Sequence, residues 1–219
     1  EAFLERTGPR LRWVKIGLQL YLRHGPSIVE RLAARGLNIF LDLKLHDIPN
    51  TVAAAVGALG GLPVQLLTIH ASGGLEMMQA ARNRAADALP GARVVGVTVL
   101  TSMDAPALAA TGVPAEPLEQ VRRLAHLSAQ AGLHGIVCSG QELRALQPEL
   151  PSGFTFVTPG IRPASADVGD QKRVMTPGEA AKAGASHIVV GRPILQATCP
   201  QTAVEAILDA LQQASTTAR

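Results

Sequence analysis

The feature that most constrains the fold is a repeated alternation of short apolar runs with amphipathic helical segments. Helical patterns cover residues 27–35, 118–131 and 202–213. A further helix is predicted to begin at Pro177, because the sequence TPGE from Thr176 is typical of a capping box with proline at the first helical position. Strand-like runs occupy residues 11–20, 37–45, 64–70, 92–100, 135–139, 153–161 and 185–191. This alternation predicts parallel strands joined by right-handed crossovers.

Charged residues inside the strand runs favour a closed barrel over an open sheet. Seven strands of similar spacing fit either a (β/α)8 barrel or an open doubly wound sheet. In the run 38–46, however, leucines alternate with Asp42, Lys44 and His46, whereas a central strand of a doubly wound sheet is apolar on both faces. We therefore predict an α/β chain with a (β/α)8 TIM barrel. Because the composition shows no break, residues 1–219 are predicted to form one domain.

Composition and charge exclude several other classes of protein. The 219 residues are 47% hydrophobic and 17% charged, and no apolar run approaches the length of a membrane span. The net charge is +3, but the basic residues are scattered and do not interleave with aromatic residues, which argues against a nucleic-acid partner. Two cysteines are too few for a disulfide framework. We expect a cytoplasmic protein that binds neither nucleic acid nor a membrane.

The strongest candidate site lies in the segment DLKLHDIPNT, residues 42–51. Residues two apart on a strand share a face, so Asp42 and Lys44 are predicted to lie side by side, with Asp47 just beyond the strand. Such a cluster keeps a lysine protonated and ready to act as an acid. The alternative is a structural ion pair, with Asp47 as the N-cap of a helix that starts at Pro49.

The scarcity of lysine makes its placement informative. The chain has sixteen arginines but only four lysines, and lysine offers a compact, titratable charge that arginine lacks. Lys15 and Lys44 lie within strand runs, whereas Lys172 and Lys182 are predicted to be surface residues. Lys15 is therefore a second candidate for the charged cluster.

DLKLHDIPNT resembles the signature of the bacterial orotidine 5'-phosphate decarboxylases. The resemblance extends in the expected order through WVKIGLQLYL (13–22), TIHASGG (68–74), GVTVLTSM (96–103), GIVCS (135–139), TPGIRP (158–163), GDQKRVMTP (169–177) and VVGRPI (189–194). It implies a TIM-barrel homodimer that converts orotidine 5'-monophosphate to uridine 5'-monophosphate and CO2. This reaction is the last step of de novo pyrimidine nucleotide biosynthesis, and the family needs no metal or organic cofactor for it.

The resemblance also implies a role for each matching residue. Lys44 would donate a proton to the C6 carbanion, Asp42 would lie beside the substrate carboxylate, and Lys15 would join the charged network. Three residues would reach the neighbouring subunit's active site: Asp47, Ile48 and Thr51. The remaining substrate contacts would be Thr101 and Ser102 at the pyrimidine, and Arg162, Gln171, Gly191 and Arg192 at the phosphate.

General chemistry supports the phosphate assignment. Barrels commonly bind phosphate with the loops that follow their last two strands. Gly191 permits a close backbone approach, and Arg192 offers a two-pronged guanidinium for phosphate oxygens. The loop 159–174 is long for a strand-to-helix connection, so it is expected to close over the ligand as a lid.

Two other functions fit parts of the same pattern. A magnesium-dependent decarboxylase or aldolase acting on a sugar phosphate shares the Asp-x-Lys-x-x-Asp strand, but the IPNT, TPGIRP and GDQKRV segments argue against it. The other is a non-catalytic barrel that binds a nucleotide phosphate. Such a protein would not need two acidic residues, Asp42 and Asp47, together with two basic ones, Lys15 and Lys44.

The start of the chain carries a separate expectation. A closed barrel of this class has eight strands, and the sequence shows seven, beginning with the strand of Lys15. Because the chain starts at Glu1 rather than methionine, we expect the natural product to extend upstream by roughly 15 to 20 residues, enough for a first strand and a short loop. In the family, that strand carries a further substrate-binding aspartate.

Overall fold

The computed structural model describes residues 2–163 and 174–217. Within them, seven β-strands are β1 Trp13–Gly17, β2 Asn38–Leu45, β3 Leu66–His70, β4 Arg93–Val97, β5 Gly135–Val137, β6 Thr155–Thr158 and β7 His187–Ile188. The α-helices are α1 Ala2–Glu5, α2 Leu18–His24, α3 Pro26–Ala33, α4 Pro49–Ala58, α5 Gly74–Ala88, α6 Ala105–Ala110, α7 Pro117–Gln130, α8 Leu143–Leu146, α9 Pro177–Lys182, α10 Arg192–Leu195 and α11 Pro200–Thr217. None of the described helices is long and apolar enough to cross a membrane.

The chain divides into two compact units. Unit A comprises Arg12–Thr98 and Leu124–Ile136. Unit B comprises Glu1–Leu11, Val99–Arg123 and Val137–Arg219. The expectation of one domain over the whole chain stays a prediction.

Unit A contains a parallel sheet in which β1 pairs with β2, β2 with β3 and β3 with β4. The predicted α/β class with parallel strands is therefore confirmed. Both faces of the sheet contribute to the core, since the paired residues Leu41 and Leu67 are fully buried on one face and the paired residues Phe40 and Leu66 are 6% and 1% exposed on the other. Helix α3 adds Val29 to the buried set, and α5 adds Met77. This apolar packing holds the strands at fixed positions beneath the charged groups that they carry.

Unit B contains the parallel pair β6 and β7 and the helices that follow them. The predicted capping box is confirmed: the Thr176 amide donates to Glu179 Oε2 over 2.9 Å, and the Glu179 amide donates to Thr176 Oγ1 over 3.3 Å. Helix α9 begins at Pro177, as predicted. Helix α11 contributes Val204 and Ile207 to the buried apolar set of this unit.

The strand predictions were too long at their ends, and one was wrong over part of its length. The run 11–20 was predicted to be a strand, but β1 ends at Gly17 and α2 begins at Leu18. The sequence of α2 is LQLYLRH, which contains no β-branched residue and several good helix formers. A prediction based on apolar character alone therefore overestimated the length of this strand. The sequence analysis also did not identify α5, the fifteen-residue helix after β3.

Candidate active site

Three charged side chains meet on neighbouring strands of unit A. Asp42 lies on β2 and is 7% exposed. Its Oδ2 atom is 2.7 Å from Nζ of Lys44, on the same strand, and 3.1 Å from Nζ of Lys15, on β1. Each lysine side chain remains about a third exposed. One buried carboxylate oxygen thus binds two ammonium groups that stay accessible from outside the unit.

The local backbone makes room for this arrangement. Gly17 lies opposite Asp42 in the β1–β2 register. A Cβ atom at Gly17 would lie 3.0 Å from Nζ of Lys15, a tight contact that would require the ammonium group to shift slightly. The absence of a side chain at Gly17 therefore leaves space for the Lys15 ammonium group beside Asp42.

The ladder between β2 and β3 is interrupted next to the cluster. Leu41 pairs with Leu67, but the next pair is Leu45 with Ile69, so β2 contains two extra residues in this interval. Lys44, within the interruption, has φ 50°, and it is the one non-glycine residue with positive φ in the described part of the chain. The regular alternation expected along β2 is thus broken between Leu41 and Leu45.

A buried threonine occupies the gap. The backbone amide of Lys44 donates to Oγ1 of Thr68 over 2.9 Å, and the Thr68 hydroxyl donates to Oδ1 of Asp42 over 3.0 Å. Thr68 is 0% exposed. Sequence reasoning missed this residue, and its signal was a single hydroxyl between the apolar residues Leu67 and Ile69 of β3.

The electrostatics of the cluster favour an ionised aspartate. Burial acts to raise the pKa of Asp42, but the charge of Lys15 and the hydrogen bond and charge of Lys44 outweigh it and hold that pKa below its ordinary value. At neutral pH the carboxylate is therefore ionised, and it holds the Lys44 ammonium group in place.

Two histidines lie beside the cluster. The rings of His46 and His70 have centroids 5.2 Å apart and are tilted by 36°. Burial, with smaller contributions from His46 and Lys44, lowers the pKa of His70 below its usual value, although the charge of Asp42 opposes the shift. His70 is accordingly a neutral imidazole at pH 7.

The segment after β2 projects away from the core of the unit. Asp47, Ile48 and Thr51 are all exposed, Ile48 by 66%. The Asp47 carboxylate accepts a hydrogen bond from the Ile48 amide over 2.7 Å. The N-cap of α4 is Ile48, without a side-chain capping bond, so the alternative in which Asp47 caps this helix is wrong.

The other predicted substrate contacts belong to unit B. Thr101 is buried and Ser102 is exposed. Arg162 is 8% exposed, and its Nη1 atom donates a hydrogen bond to the carbonyl oxygen of the preceding residue, Ile161, over 2.9 Å. Gly191 immediately precedes α10, and Arg192 is the exposed first residue of that helix. A Cβ atom at Gly191 would meet nothing within 4 Å, so the space beside this backbone is open.

Part of the predicted phosphate site cannot be placed. Gln171 and residues 164–173 of the predicted lid lie outside the described residues. Over residues 2–163 and 174–217, no group of three or more His, Cys, Asp or Glu side chains is arranged to hold a metal ion.

The fold and the cluster define a class: an α/β protein whose parallel strands carry a lysine–aspartate–lysine group. The model of the orotidine 5'-phosphate decarboxylase / HUMPS family matches residues 1–207. The chain belongs to this family, so the family recognised from the sequence motifs is confirmed.

Curated relatives agree with the family match. The chain is 51% identical over 209 residues to an orotidine 5'-phosphate decarboxylase of Opitutus terrae, with 95% of this chain and 91% of that protein covered. It is 49% identical over 206 residues to one of Chromohalobacter salexigens, with coverages of 94% and 87%. The prediction that the chain is an enzyme of this decarboxylase type is confirmed by these relatives.

Solved structures show the same fold. The crystal structure of an orotidine 5'-phosphate decarboxylase from Lactobacillus acidophilus matches with a TM-score of 0.80 and 37% identity, covering 90% of this chain and 86% of that one. An uncharacterised conserved protein from Geobacillus kaustophilus matches with a TM-score of 0.82 and 32% identity, with coverages of 96% and 93%.

Proposed function

We propose that the chain decarboxylates orotidine 5'-monophosphate to uridine 5'-monophosphate and CO2, the last step of de novo pyrimidine synthesis, without a metal or organic cofactor. The observation that carries the proposal is the buried Asp42 oxygen with Lys44 Nζ at 2.7 Å and Lys15 Nζ at 3.1 Å. Relatives at about half identity that carry the decarboxylase name support it.

The chemistry of the reaction calls for a fixed cation. When the bond from C6 to the carboxylate carbon breaks, CO2 leaves and the electron pair remains on C6, in the plane of the ring. No π-system delocalises that pair, so the enzyme must stabilise it electrostatically. The Lys44 ammonium group would stabilise the developing charge and then transfer its proton to C6. The resulting neutral amine regains a proton from water.

Asp42 and Lys15 would prepare Lys44 for this step. The ionised Asp42 keeps the Lys44 ammonium group in one position, which lowers the reorganisation needed in the transition state. Asp42 would also lie beside the substrate carboxylate and repel it, favouring its departure as CO2. Lys15 supplies the second positive charge that keeps Asp42 ionised despite its burial.

Binding of the rest of the nucleotide would involve the other residues that the family resemblance implies. Thr101 and Ser102 would contact the pyrimidine. The phosphate would be bound by Arg162, Gln171, Gly191 and Arg192. Binding energy from the phosphate, which does not react, can be used to assemble the charged site around C6.

The proposal includes a cytoplasmic homodimer built from (β/α)8 barrels. Asp47, Ile48 and Thr51 would then contribute to the neighbouring subunit's site. The exposed apolar side chains of unit A support a protein partner, because Leu22 is 79% and Ile48 66% exposed. The two residues lie in the segments that directly follow the neighbouring strands β1 and β2, where a second subunit could cover them.

The test is an absorbance assay of orotidine 5'-monophosphate consumption, run with and without a chelator. The proposal predicts turnover to uridine 5'-monophosphate at the same rate in both arms. Turnover that the chelator abolishes would favour the magnesium-dependent alternative. Binding of the nucleotide with no turnover in either arm would favour a non-catalytic phosphate-binding protein.

A further inference from the structure

Thr68 connects the two central residues of the charged cluster, although it carries no charge itself. Its hydroxyl donates to Oδ1 of Asp42 over 3.0 Å and accepts from the Lys44 amide over 2.9 Å. We propose that Thr68 is a positioning residue for the decarboxylation, whose hydroxyl fixes the Asp42 carboxylate and the Lys44 backbone so that the Lys44 ammonium group is aimed at C6. This inference rests on the proposed function.

Thr68 and the two lysines bind different oxygens of the Asp42 carboxylate. A hydroxyl has one proton to donate, and Thr68 donates it to Oδ1 of Asp42. Oδ2 is the oxygen that contacts both Lys44 and Lys15. The two carboxylate oxygens therefore have different partners, and rotation of the carboxylate would break contacts on both sides. Thr68 thus holds Asp42 in the orientation that presents one oxygen to both lysines.

Thr68 also binds the backbone of Lys44. The register shift between Leu41 and Leu45 takes Lys44 out of the regular β2–β3 ladder. Lys44 has φ 50°, a left-handed conformation that is unfavourable for a residue with a Cβ atom. Its amide nevertheless has a partner, because the Thr68 oxygen accepts its hydrogen bond. Without that acceptor, the segment would lose the bond that ties its unusual backbone to β3.

The Thr68 hydroxyl lies in a fully buried part of β3. Thr68 is 0% exposed, as are its neighbours Leu67 and Ile69. Valine has nearly the same shape and would suit an apolar strand better, since a buried hydroxyl is unfavourable unless it is hydrogen-bonded. The hydroxyl donates to Asp42 and accepts from the Lys44 amide. The polar atom of Thr68 therefore serves the cluster rather than the packing of the strand.

The test compares Thr68→Val, which keeps the shape, with Thr68→Ser, which keeps the hydroxyl. Misplacing Lys44 should lower kcat of Thr68→Val by about 10- to 100-fold, the size expected for small errors of alignment. The kcat of Thr68→Ser should stay within about threefold of the wild-type value. Both variants should bind uridine 5'-monophosphate almost normally, because the ammonium group acts on charge that is present in the transition state. Thr68→Ala provides a second variant without the hydroxyl, should the valine variant not fold.

The matched control is Ser128→Ala in α7 of the same unit. Ser128 is fully buried and its hydroxyl donates to the Leu124 carbonyl over 2.7 Å, away from the charged cluster. Loss of this hydroxyl should lower stability without lowering kcat. An equal loss of kcat in Ser128→Ala would overturn the inference, because any buried hydroxyl would then have the same effect.

Further outcomes separate a failure of this inference from a failure of the proposed function. Normal kcat in Thr68→Val overturns the inference while leaving the proposed function intact, and so does an equal loss in Thr68→Val and Thr68→Ser. A wild-type enzyme without decarboxylase activity overturns the proposed function itself. The geometric part is tested independently by a crystal structure of Thr68→Val. In that structure we expect Lys44 to have lost either its positive φ or its contact with Asp42. Retention of both features would overturn the inference, whatever the activity of the variant.

Discussion

Lys44 contacts Asp42 through its side chain, with Nζ 2.7 Å from Oδ2, even though the strand pairing is irregular between Leu41 and Leu45. A lysine placed in this way is fixed at its backbone and at its charged end. Catalysis by a preorganised charge requires such a group, because a freely moving ammonium group would have to be oriented during the reaction.

The first prediction concerns Asp42→Asn. At neutral pH this change leaves the ammonium groups of Lys15 and Lys44 close together without the carboxylate that binds them both. We expect the free energy of unfolding to fall by about 1 to 3 kcal/mol, which is the range for leaving a buried polar partner unsatisfied. The decrease should lie near the lower end of this range, because both lysines are partly exposed to solvent. Urea denaturation at pH 7 measures the difference, and a variant as stable as the wild type would contradict it.

The pH dependence of this difference has a definite sign. Because the folded-state pKa of Asp42 lies below the ordinary value of 3.8, the unfolded chain takes up the proton first as the pH falls. The stabilisation from Asp42 is therefore complete above that value and is lost as the pH falls through the folded-state pKa. Wild type and Asp42→Asn should converge in stability in this acidic range, and a difference that grows there would contradict the account.

The second prediction concerns His70. Its pKa is below the ordinary 6.5, chiefly because of burial, so it should titrate below that value in an NMR titration of the imidazole. In Lys44→Ala the pKa of His70 should rise, since one nearby positive charge is removed. The depressed pKa also means that His70 contributes stability above pH 6.5 that declines as the pH falls, because the unfolded chain then binds the proton more readily. A pKa at or above 6.5 would show that the ring is better solvated than its position indicates.

The third prediction concerns Arg192→Ala. If Arg192 binds the phosphate, affinity for uridine 5'-monophosphate should fall about 10- to 100-fold, as expected for loss of a charged hydrogen-bonding partner. Affinity for uridine, which lacks the phosphate, should change little. Arg144→Ala, which removes an exposed arginine of α8, is the matched control. Isothermal titration calorimetry measures all of these affinities, and an unchanged affinity in Arg192→Ala would place the phosphate elsewhere.

The fourth prediction concerns Asp47. If Asp47 serves the neighbouring subunit's site, a dimer of one Lys44→Ala chain and one Asp47→Ala chain has one site with both changes and one with neither. Activity should therefore reappear when the two inactive proteins are mixed and their subunits exchange. Each variant mixed with itself is the control. No recovery, despite exchange demonstrated by mass spectrometry, would place Asp47 in the site of its own subunit.

The sequence predicted the elements that depend on local signals. The Thr176 capping box and the helix from Pro177 follow from side chains within four residues of each other, and the structure has both. The spacing of Asp42 and Lys44 on one strand also predicted that they lie together. These features need no knowledge of the rest of the fold.

The parts that the sequence did not predict depend on contacts between distant segments. The register shift in β2 and the positive φ of Lys44 arise where β2 meets β3, and Thr68 is 24 residues from Lys44 along the chain. The end of β1 at Gly17 was missed for a different reason: the apolar residues of α2 resemble a continued strand in a pattern based on hydrophobicity alone.

The fifth prediction tests the central claim most directly. It is the measurement of kcat for orotidine 5'-monophosphate in Lys44→Ala, with Lys182→Ala, at an exposed lysine of α9, as the control. Loss of both the proton donor and its charge should lower kcat by at least about 10³-fold, while affinity for uridine 5'-monophosphate stays within about threefold. Lys182→Ala should turn over normally. A Lys44→Ala enzyme with near-normal kcat would contradict the assignment of Lys44 as the proton donor.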